Sequence, residues 1–212
     1  MPGARAERFR FDLDGGTVAL DFVNTVSGLR GVRPRERLSS YEDLVYWARQ
    51  VRLIDKVTAE RLYLEANRNP NQAEEAFGRA LLTREALNDL VVAGVEREPP
   101  PETALAIVNA WISEALARRR LVSAGRGKFA ARFAEDGDLL AFLRPVALDA
   151  AEVLEHELRT ALVRQCAQSL AGECGWLFLD QTRNHSRRYC SMKECGNRAK
   201  QRRHYQRRKL TS

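Results

Sequence analysis

Cys174-Gly175-Trp176-Leu177-Phe178-Leu179-Asp180, and then Cys190-Ser191-Met192-Lys193-Glu194-Cys195-Gly196-Asn197-Arg198, decide how the C-terminal part of this chain folds. A short apolar strand follows Cys174, and a polar, basic turn from Gln181 to Arg188 separates it from the second cysteine pair. All four cysteines of the chain, Cys166, Cys174, Cys190 and Cys195, lie in the last 47 of its 212 residues. Cysteines gathered in the most basic and least apolar segment are poor core fillers. Met1-Pro2-Gly3-Ala4-Arg5 leads into Glu7, Arg8 and Arg10 rather than an apolar run, so no secretory signal is visible and the cytosol is the expected compartment. A reducing compartment disfavours two disulfides, and unliganded thiols are the remaining alternative. Two pairs separated by a strand and a turn are a common way to present four thiolates to zinc, which is the preferred reading.

Charge divides the chain at the same place. From Thr182 to Ser212 there are 11 Lys/Arg and one Asp/Glu, against totals of 35 and 28, so the tail carries +10 and the rest −3. A step of that size predicts a near-neutral domain with a tail that faces a polyanion. Gly196 to Lys209 reads as a helix with hardly an apolar side chain, only Ala199 and Tyr205. Core burial cannot hold such a helix. A zinc site at its N-terminus can, since ligation supplies ~10 kcal/mol or more to a small domain.

Upstream, the periodicity is mostly helical. Arg8 to Leu13 alternates with period two and predicts a short strand before the turn at Asp14-Gly15-Gly16. Ala19, Phe22, Val23 and Val26 are at helical spacing, and Gly28, Gly31 and Pro34 then make a loop. Ser39-Ser40-Tyr41-Glu42 has the capping-box form ahead of Leu44, Trp47, Ala48 and Val51. Further helices are predicted over 58–67, 71–95 (stopped by Glu98 and three prolines) and 103–120. Leu121 to Phe133 reads as a hairpin around Gly125-Arg126-Gly127 that can pair with the 8–13 strand. Helix resumes near Asp138, is interrupted at Pro145, and runs to Gln165, delivering the chain directly to Cys166. At 44% apolar and 30% charged residues, with no stretch of ~18 unbroken apolar residues, a membrane-spanning protein is excluded.

Cys195-Gly196-Asn197-Arg198, preceded in order by Trp176–Asp180, Arg183-Asn184 and Arg187-Arg188-Tyr189-Cys190-Ser191-Met192, closely resembles the CGNR zinc finger over residues 164–207. Val18 to Val26, then Leu38 to Leu44 and Trp47-Ala48, resemble the opening of the ABATE domain that commonly precedes that finger. The resemblance implies a DNA-binding module of bacterial transcription regulators. In that family the first cysteine pair encloses four residues, whereas Cys166 and Cys174 enclose seven. A longer loop is harmless if both sulfurs reach the metal. His185 and His204 are possible substitutes, since imidazole also suits zinc, but the four cysteines are retained as ligands.

Four protein ligands leave no open position, so the zinc would be structural. Around it Arg183, Arg187, Arg188, Arg198, Lys200, Arg202, Arg203, Arg207, Arg208 and Lys209 form a dense cationic surface. Like charges at that density favour nucleic acid over an acidic protein partner or a merely solvated tail. Asn184 and Asn197 are candidate base readers as well as local caps, capping being the stronger reading for Asn197. Double-stranded DNA is preferred to RNA, because Tyr205 alone follows the finger and no aromatics are interleaved for base stacking.

In the body, Arg84 falls inside the Phe77–Ala80–Leu81–Leu87–Val91 stripe, and a buried arginine needs a carboxylate or an anionic ligand. Asp21 and Asn24 are the polar groups expected to meet it. An internal Arg–Asp pair with no ligand is the preferred reading, and the three residues are also a candidate site for a small anionic effector. Catalytic residues are not expected: Glu155-His156-Glu157-Leu158 lacks the second histidine of a zinc-protease helix, and Gly125-Arg126-Gly127-Lys128 lacks a phosphate-loop pattern. The predicted fold is mainly α with a small antiparallel β-sheet. A helical domain over 1–160 senses a ligand or forms a homodimer, and a treble-clef-like zinc finger with a basic C-terminal helix occupies 161–212. The expected function is zinc-dependent DNA-binding transcription regulation without membrane contact; the alternative is an RNA-binding or protein-interaction module stabilised by zinc.

Overall fold

Helix α1 (Val18–Val23) is six residues long, yet the body is assembled around it. Four of those six, Ala19, Leu20, Phe22 and Val23, are fully buried. A helix so short cannot persist on its own hydrogen bonds, so its ends are held from outside. Thr17 Oγ1 accepts from Leu20 N at 3.3 Å, and the Asp149 carboxylate accepts from Ala19 N at 2.7 Å across the core. Phe22 fills the centre, its ring 5.2 Å from Trp47 and 6.4 Å from Trp111.

The computed structural model describes residues 10–210. After α1 the chain makes a small antiparallel pair, β1 (Val26–Ser27) with β2 (Arg35–Glu36). Helices α2 (Tyr41–Gln50), α3 (Lys56–Arg68), α4 (Pro70–Glu96) and α5 (Glu102–Ala117) follow. A protruding hairpin, β3 (Arg119–Ser123) with β4 (Phe129–Phe133), leads to α6 (Arg144–Glu152). A third antiparallel pair, β5 (Val163–Gln165) with β6 (Leu177–Leu179), precedes the terminal helix α7 (Asn197–Leu210). The fold is mainly α with small antiparallel β structure, as expected; among the described residues the strands form three separate two-stranded sheets.

Local chemistry explains most boundaries. Ser40 caps α2, accepting from Asp43 N at 3.4 Å, and the Asp43 carboxylate returns a bond to Ser39 N at 2.8 Å. The capping box is thus one residue later than the Ser39–Glu42 spacing implies. Asp55 caps α3 through Thr58 N at 2.8 Å. Helix α4 ends before the prolines, where Arg97 takes a left-handed conformation with φ 59°.

Three expectations are corrected. Pro145 sits in the first turn of α6, where its missing N–H costs nothing, and so begins a helix instead of interrupting one. Beyond Glu152 the helix widens into a single π-turn over Val153–Glu157, and Ala161 turns left-handed at φ 56°. The chain therefore reaches Cys166 through strand β5, not directly from a helix. Residues 10–13 form no strand and do not pair with the β3–β4 hairpin; Arg8 and Phe9 lie outside the described residues. Instead the Gln50 side chain takes the place of a neighbouring strand: Phe11 N donates to its Oε1 at 2.9 Å, and its Nε2 donates to Phe11 O at 2.6 Å.

Burial raises the Asp21 carboxyl to about 6; the bond from Gly15 N opposes the rise, and Asp14 and Asp149 add to it. A raised carboxyl contributes stability below its unfolded value near 3.8 and loses it as pH climbs through about 6. Asp21→Asn keeps an oxygen for Gly15 and is expected to gain about 2–3 kcal/mol on the wild type between pH 4 and 7. Denaturant titrations across that range check it.

Candidate metal centre and its basic surface

Strand β6 alternates, and both of its faces are covered. Leu177 and Leu179 pack with Val163 into the core of the helical body. Trp176 and Phe178 point the other way and pack around the four cysteines. The backbone edge is closed by the body too. The buried Asn24 amide accepts from Leu177 N at 3.0 Å and donates to Leu177 O at 2.7 Å. Gly175 N donates to Gly28 O at 2.7 Å, Leu179 N to Gly15 O at 2.8 Å, and Trp176 Nε1 to Val26 O at 2.9 Å. The strand predicted after Cys174 is therefore a seam between body and finger.

Cysteines arrive at the seam from three directions. Cys166 continues β5, its N–H donating to Trp176 O at 2.8 Å. The seven residues before Cys174 are taken up by a short 3₁₀ turn, Ser169–Ala171, and by Gly172 at φ 70°. Cys190 and Cys195 bracket the turn that starts α7. All four sulfurs lie within 4.8 Å of one another, and all four residues are buried. Cys174 Sγ is 3.7 Å from Cys190 Sγ, which is 3.6 Å from Cys195 Sγ. These are free thiols, not disulfides. Hydrogen bonds from Cys174, Cys190 and Cys195 hold the Cys166 thiol well below its ordinary value, while the bond with Cys166 pushes Cys174 and Cys190 up. Were all four ionised, thiolates so close together would need a cation between them.

The longer first spacing thus leaves Cys166 in the cluster. Neither histidine substitutes for it: His185 Nδ1 lies 3.0 Å from Asp180 O, and His204 is exposed on α7. Gln168, buried and unremarked in the sequence, ties the two ligand loops by donating to Cys195 O at 3.0 Å. A Cβ at Gly196 would come within 2.8 Å of the Met192 sulfur, the far end of a flexible, exposed side chain that can move aside. Asn197 Nδ2 donates to Lys193 O at 2.9 Å, the capping role expected of it.

The cationic residues separate into two groups. Arg183, Arg188, Lys200, Arg203, Arg207 and Arg208 are exposed, as are Arg198 and the neutral Asn184. Arg198 and Arg202 both pair with Glu173, Arg198 at 3.6 Å. Arg187 is turned inward and leaves that surface. Its guanidinium lies 4.3 Å from the Phe178 ring centre and donates to Tyr189 O at 3.1 Å, to Asp14 O at 2.9 Å and to Cys190 O. Beside it Asp180 is fully buried. Burial alone would raise that carboxyl, but bonds from the Thr182 hydroxyl and from the Thr182 and Arg187 amides, with Arg164 near, bring it below its ordinary value.

The candidate effector residues do not come together. Arg84 is buried at 2% exposure, but its partners are Glu36 at 2.6 Å, Glu85 at 2.8 Å and the Thr25 hydroxyl at 3.0 Å. Asp21 is spent on Gly15 N, and Asn24 on Leu177. Glu36 was hidden from a periodicity argument because it lies in a strand 48 residues away. A feature the sequence reading passed over is a groove of about 890 Å³ between the 27–37 loop and the finger, with Arg33, Arg35 and Arg37 on one wall and Arg198 and Glu173 on the other. Its signal was the arginine-rich run Arg30-Gly31-Val32-Arg33-Pro34-Arg35-Glu36-Arg37, read only as a loop.

Comparison with known families agrees with this division of the chain. The ABATE model, described as a putative stress-induced transcription regulator, matches residues 16–157, well over half of the chain. The chain belongs to the ABATE family. Its ABATE segment is followed by a match to the CGNR zinc finger over residues 163–208. No curated protein matches the chain. The Cys195-Gly196-Asn197-Arg198 signature of this ABATE protein accordingly has a physical content at each position: a sulfur in the cluster, a residue without a Cβ under Met192, a cap on the turn, and a cation paired with Glu173.

Replacing Cys190 by Ser is expected to abolish stoichiometric metal binding and to expose the 190–210 segment to protease; metal analysis and limited digestion read both. Asn24→Ala leaves Leu177 N and O without partners in the seam and should cost about 2–4 kcal/mol, measured by denaturant unfolding of the metal-loaded protein.

Proposed function

We propose that this ABATE–CGNR protein is a cytosolic, zinc-dependent transcription regulator whose finger, residues 161–212, binds double-stranded DNA. The observation that carries the reading is α7. It starts at a four-sulfur cluster, and cations line its exposed surface with no apolar face to bury. Zinc suits the donor set. A tetrahedral ion with Zn–S bonds of about 2.3 Å has sulfur–sulfur edges of about 3.8 Å, close to the 3.6 and 3.7 Å separations here. Cys166, Cys174, Cys190 and Cys195 would hold it and close its coordination, so it would supply folding energy and no chemistry.

The chain's own residues supply the rest. Lys200, Arg203, Arg207 and Arg208 present charge along α7, Arg183 and Arg188 extend it across the preceding turn with the Asn184 amide between them, and Glu173 pairs with Arg198 and Arg202. Guanidinium forks favour phosphate and the O6/N7 edge of guanine. Tyr205 is the one aromatic side chain on α7, which favours duplex DNA over single strands that need stacking platforms. The body, 1–160, is assigned the sensing of a small anionic effector or the pairing of two copies. Its arginine-walled groove beside the finger is a better effector site than Arg84, whose charge is already matched. Among the described residues no helix is long and apolar enough to cross a membrane.

Selection of duplex fragments by the zinc-loaded full-length protein at about 150 mM salt tests the reading, because non-specific contacts are weak there. An enriched consensus that vanishes on chelation is the expected result. Lys200→Gln with Arg203→Gln should weaken binding and make the fall of log K with log salt shallower by ~0.9 per lost phosphate contact. Retention of RNA or of a protein partner in place of duplex DNA would replace this reading.

A further inference from the structure

The β3–β4 hairpin stands out from the body with a composition unlike its surroundings. Between Arg118 and Glu135 there is no acidic residue, while Arg119, Arg120, Arg126, Lys128 and Arg132 are all present. The register places residues of one face opposite each other: Leu121 with Ala131, Ser123 with Phe129, and, on the other face, Arg120 with Arg132. Facing like charges destabilise a hairpin unless something relieves them. Arg120 folds back on the end of α5, donating to Ala117 O at 2.7 Å. The ion pairs of the body reach as far as Arg118, which meets Asp136 at 3.2 Å; among the described residues no carboxylate pairs with the cations beyond it. The opposite face is open and carries the large apolar side chains, Leu121 at 77% and Phe129 at 75% exposure, together with Ser123 and, at the base, Arg119.

The root of the arm, in contrast, is clamped. Ala134 N donates to Arg118 O at 2.8 Å, closing the base of the hairpin. Arg144, buried at 3% exposure, donates to Ala134 O at 2.8 Å and to Asp136 at 2.5 Å, with Asp138 at 3.5 Å. A buried arginine is therefore committed to holding the base of an arm whose strands touch little else. That is an investment in position, not in core packing.

We propose that the β3–β4 hairpin is a second duplex-DNA contact, a basic ribbon that enters a groove with Arg126, Lys128 and Arg132 on phosphates and with Leu121 and Phe129 against the bases. The inference rests on the reading of the protein as a DNA binder, but on residues of the body and not of the finger. The B-form major groove admits a two-stranded ribbon, and minor-groove proteins use apolar wedges such as Phe and Leu to part base steps. Charge decides the occupant: a ribbon with no acidic residue, with Arg126 and Lys128 at its tip and Arg132 opposite Arg120 near its base, complements a polyanion. A second copy of the chain would cover the apolar face and leave those cations unanswered.

The test uses zinc-loaded full-length protein and a random-sequence duplex of about 30 base pairs, at several salt concentrations. Arg126→Gln with Lys128→Gln and Arg132→Gln should bind at least tenfold more weakly at about 150 mM salt, with the salt slope shallower by about 2–3 and metal content unchanged. Binding equal to wild type with the same slope overturns the proposal. The finger variant, Lys200→Gln with Arg203→Gln, separates the two readings. Loss in the finger variant alone removes the hairpin and leaves the finger; loss in the hairpin variant alone removes the finger and leaves the hairpin; no binding by the wild type removes both. Leu121→Ser with Phe129→Ser should lower affinity without changing the sedimenting mass. A dimer that becomes a monomer with unchanged affinity per chain would assign the face to a second copy and overturn the proposal.

Discussion

Strand β6 has a covered face on each side, and the rest of the molecule is arranged around that fact. Alternation along a strand sends successive side chains in opposite directions, so Leu177 and Leu179 belong to the helical core while Trp176 and Phe178 belong to the cysteine cluster. Four residues of backbone, 176–179, thus join two hydrophobic cores. The Asn24 amide closes the open edge with the donor and acceptor a neighbouring strand would have supplied. Because Asn24 directly follows α1, the helix at the centre of the body and the strand at the root of the finger are positioned by the same few residues. The ABATE segment and the finger are in this sense one packed unit, and a metal ion in the cluster would brace the side of the strand that faces away from the body.

Arginines do two jobs here, and burial separates them. Arg84, Arg144 and Arg187 are enclosed and hold segments together: Arg84 fastens the β2 strand to α4 through Glu36, Arg144 clamps the base of the β3–β4 hairpin, and Arg187 lies on Phe178 while bonding carbonyls of the ligand loops. A planar fork with five donors suits such sites because it can satisfy several carbonyls and carboxylates at once. The exposed arginines of α7 and of the hairpin lie at the surface, and their charges add to a field that extends into solvent. A count of basic residues combines the two groups, although only the second is available to a partner.

Much of the fold was legible in the chain. Helices α2 to α5 announced themselves through apolar spacing and capping residues, because those signals act between residues three or four apart. The hairpin from Leu121 to Phe133 was visible in its glycine turn. The cysteine cluster and the charge step located the finger, and the four sulfurs do converge. Expectations failed where a distant group overrode a local preference. Gln50 took the place of a strand partner for Phe11, so residues 10–13 form no strand. Pro145 read as a breaker because local sequence does not say on which side of a proline the helix lies. Arg84 was rightly read as buried, but its acidic partners could not be chosen from spacing.

The amino-acid sequence by itself determined which atoms were available: four thiols in a basic segment, a helix with nothing apolar to bury, and a body rich enough in periodic apolar residues to make a core. Covalent chemistry and short-range geometry are enough for that. Tertiary structure alone decided the pairings. It brought Asn24 to Leu177 across 153 residues and Ala19 to Asp149 across 130. It turned Arg187 inward and left Arg203 in solvent. It also placed a cation-rich hairpin on a buried arginine. Such contacts depend on how whole elements stack, and the free energy of stacking is a property of surfaces that no window along the chain contains.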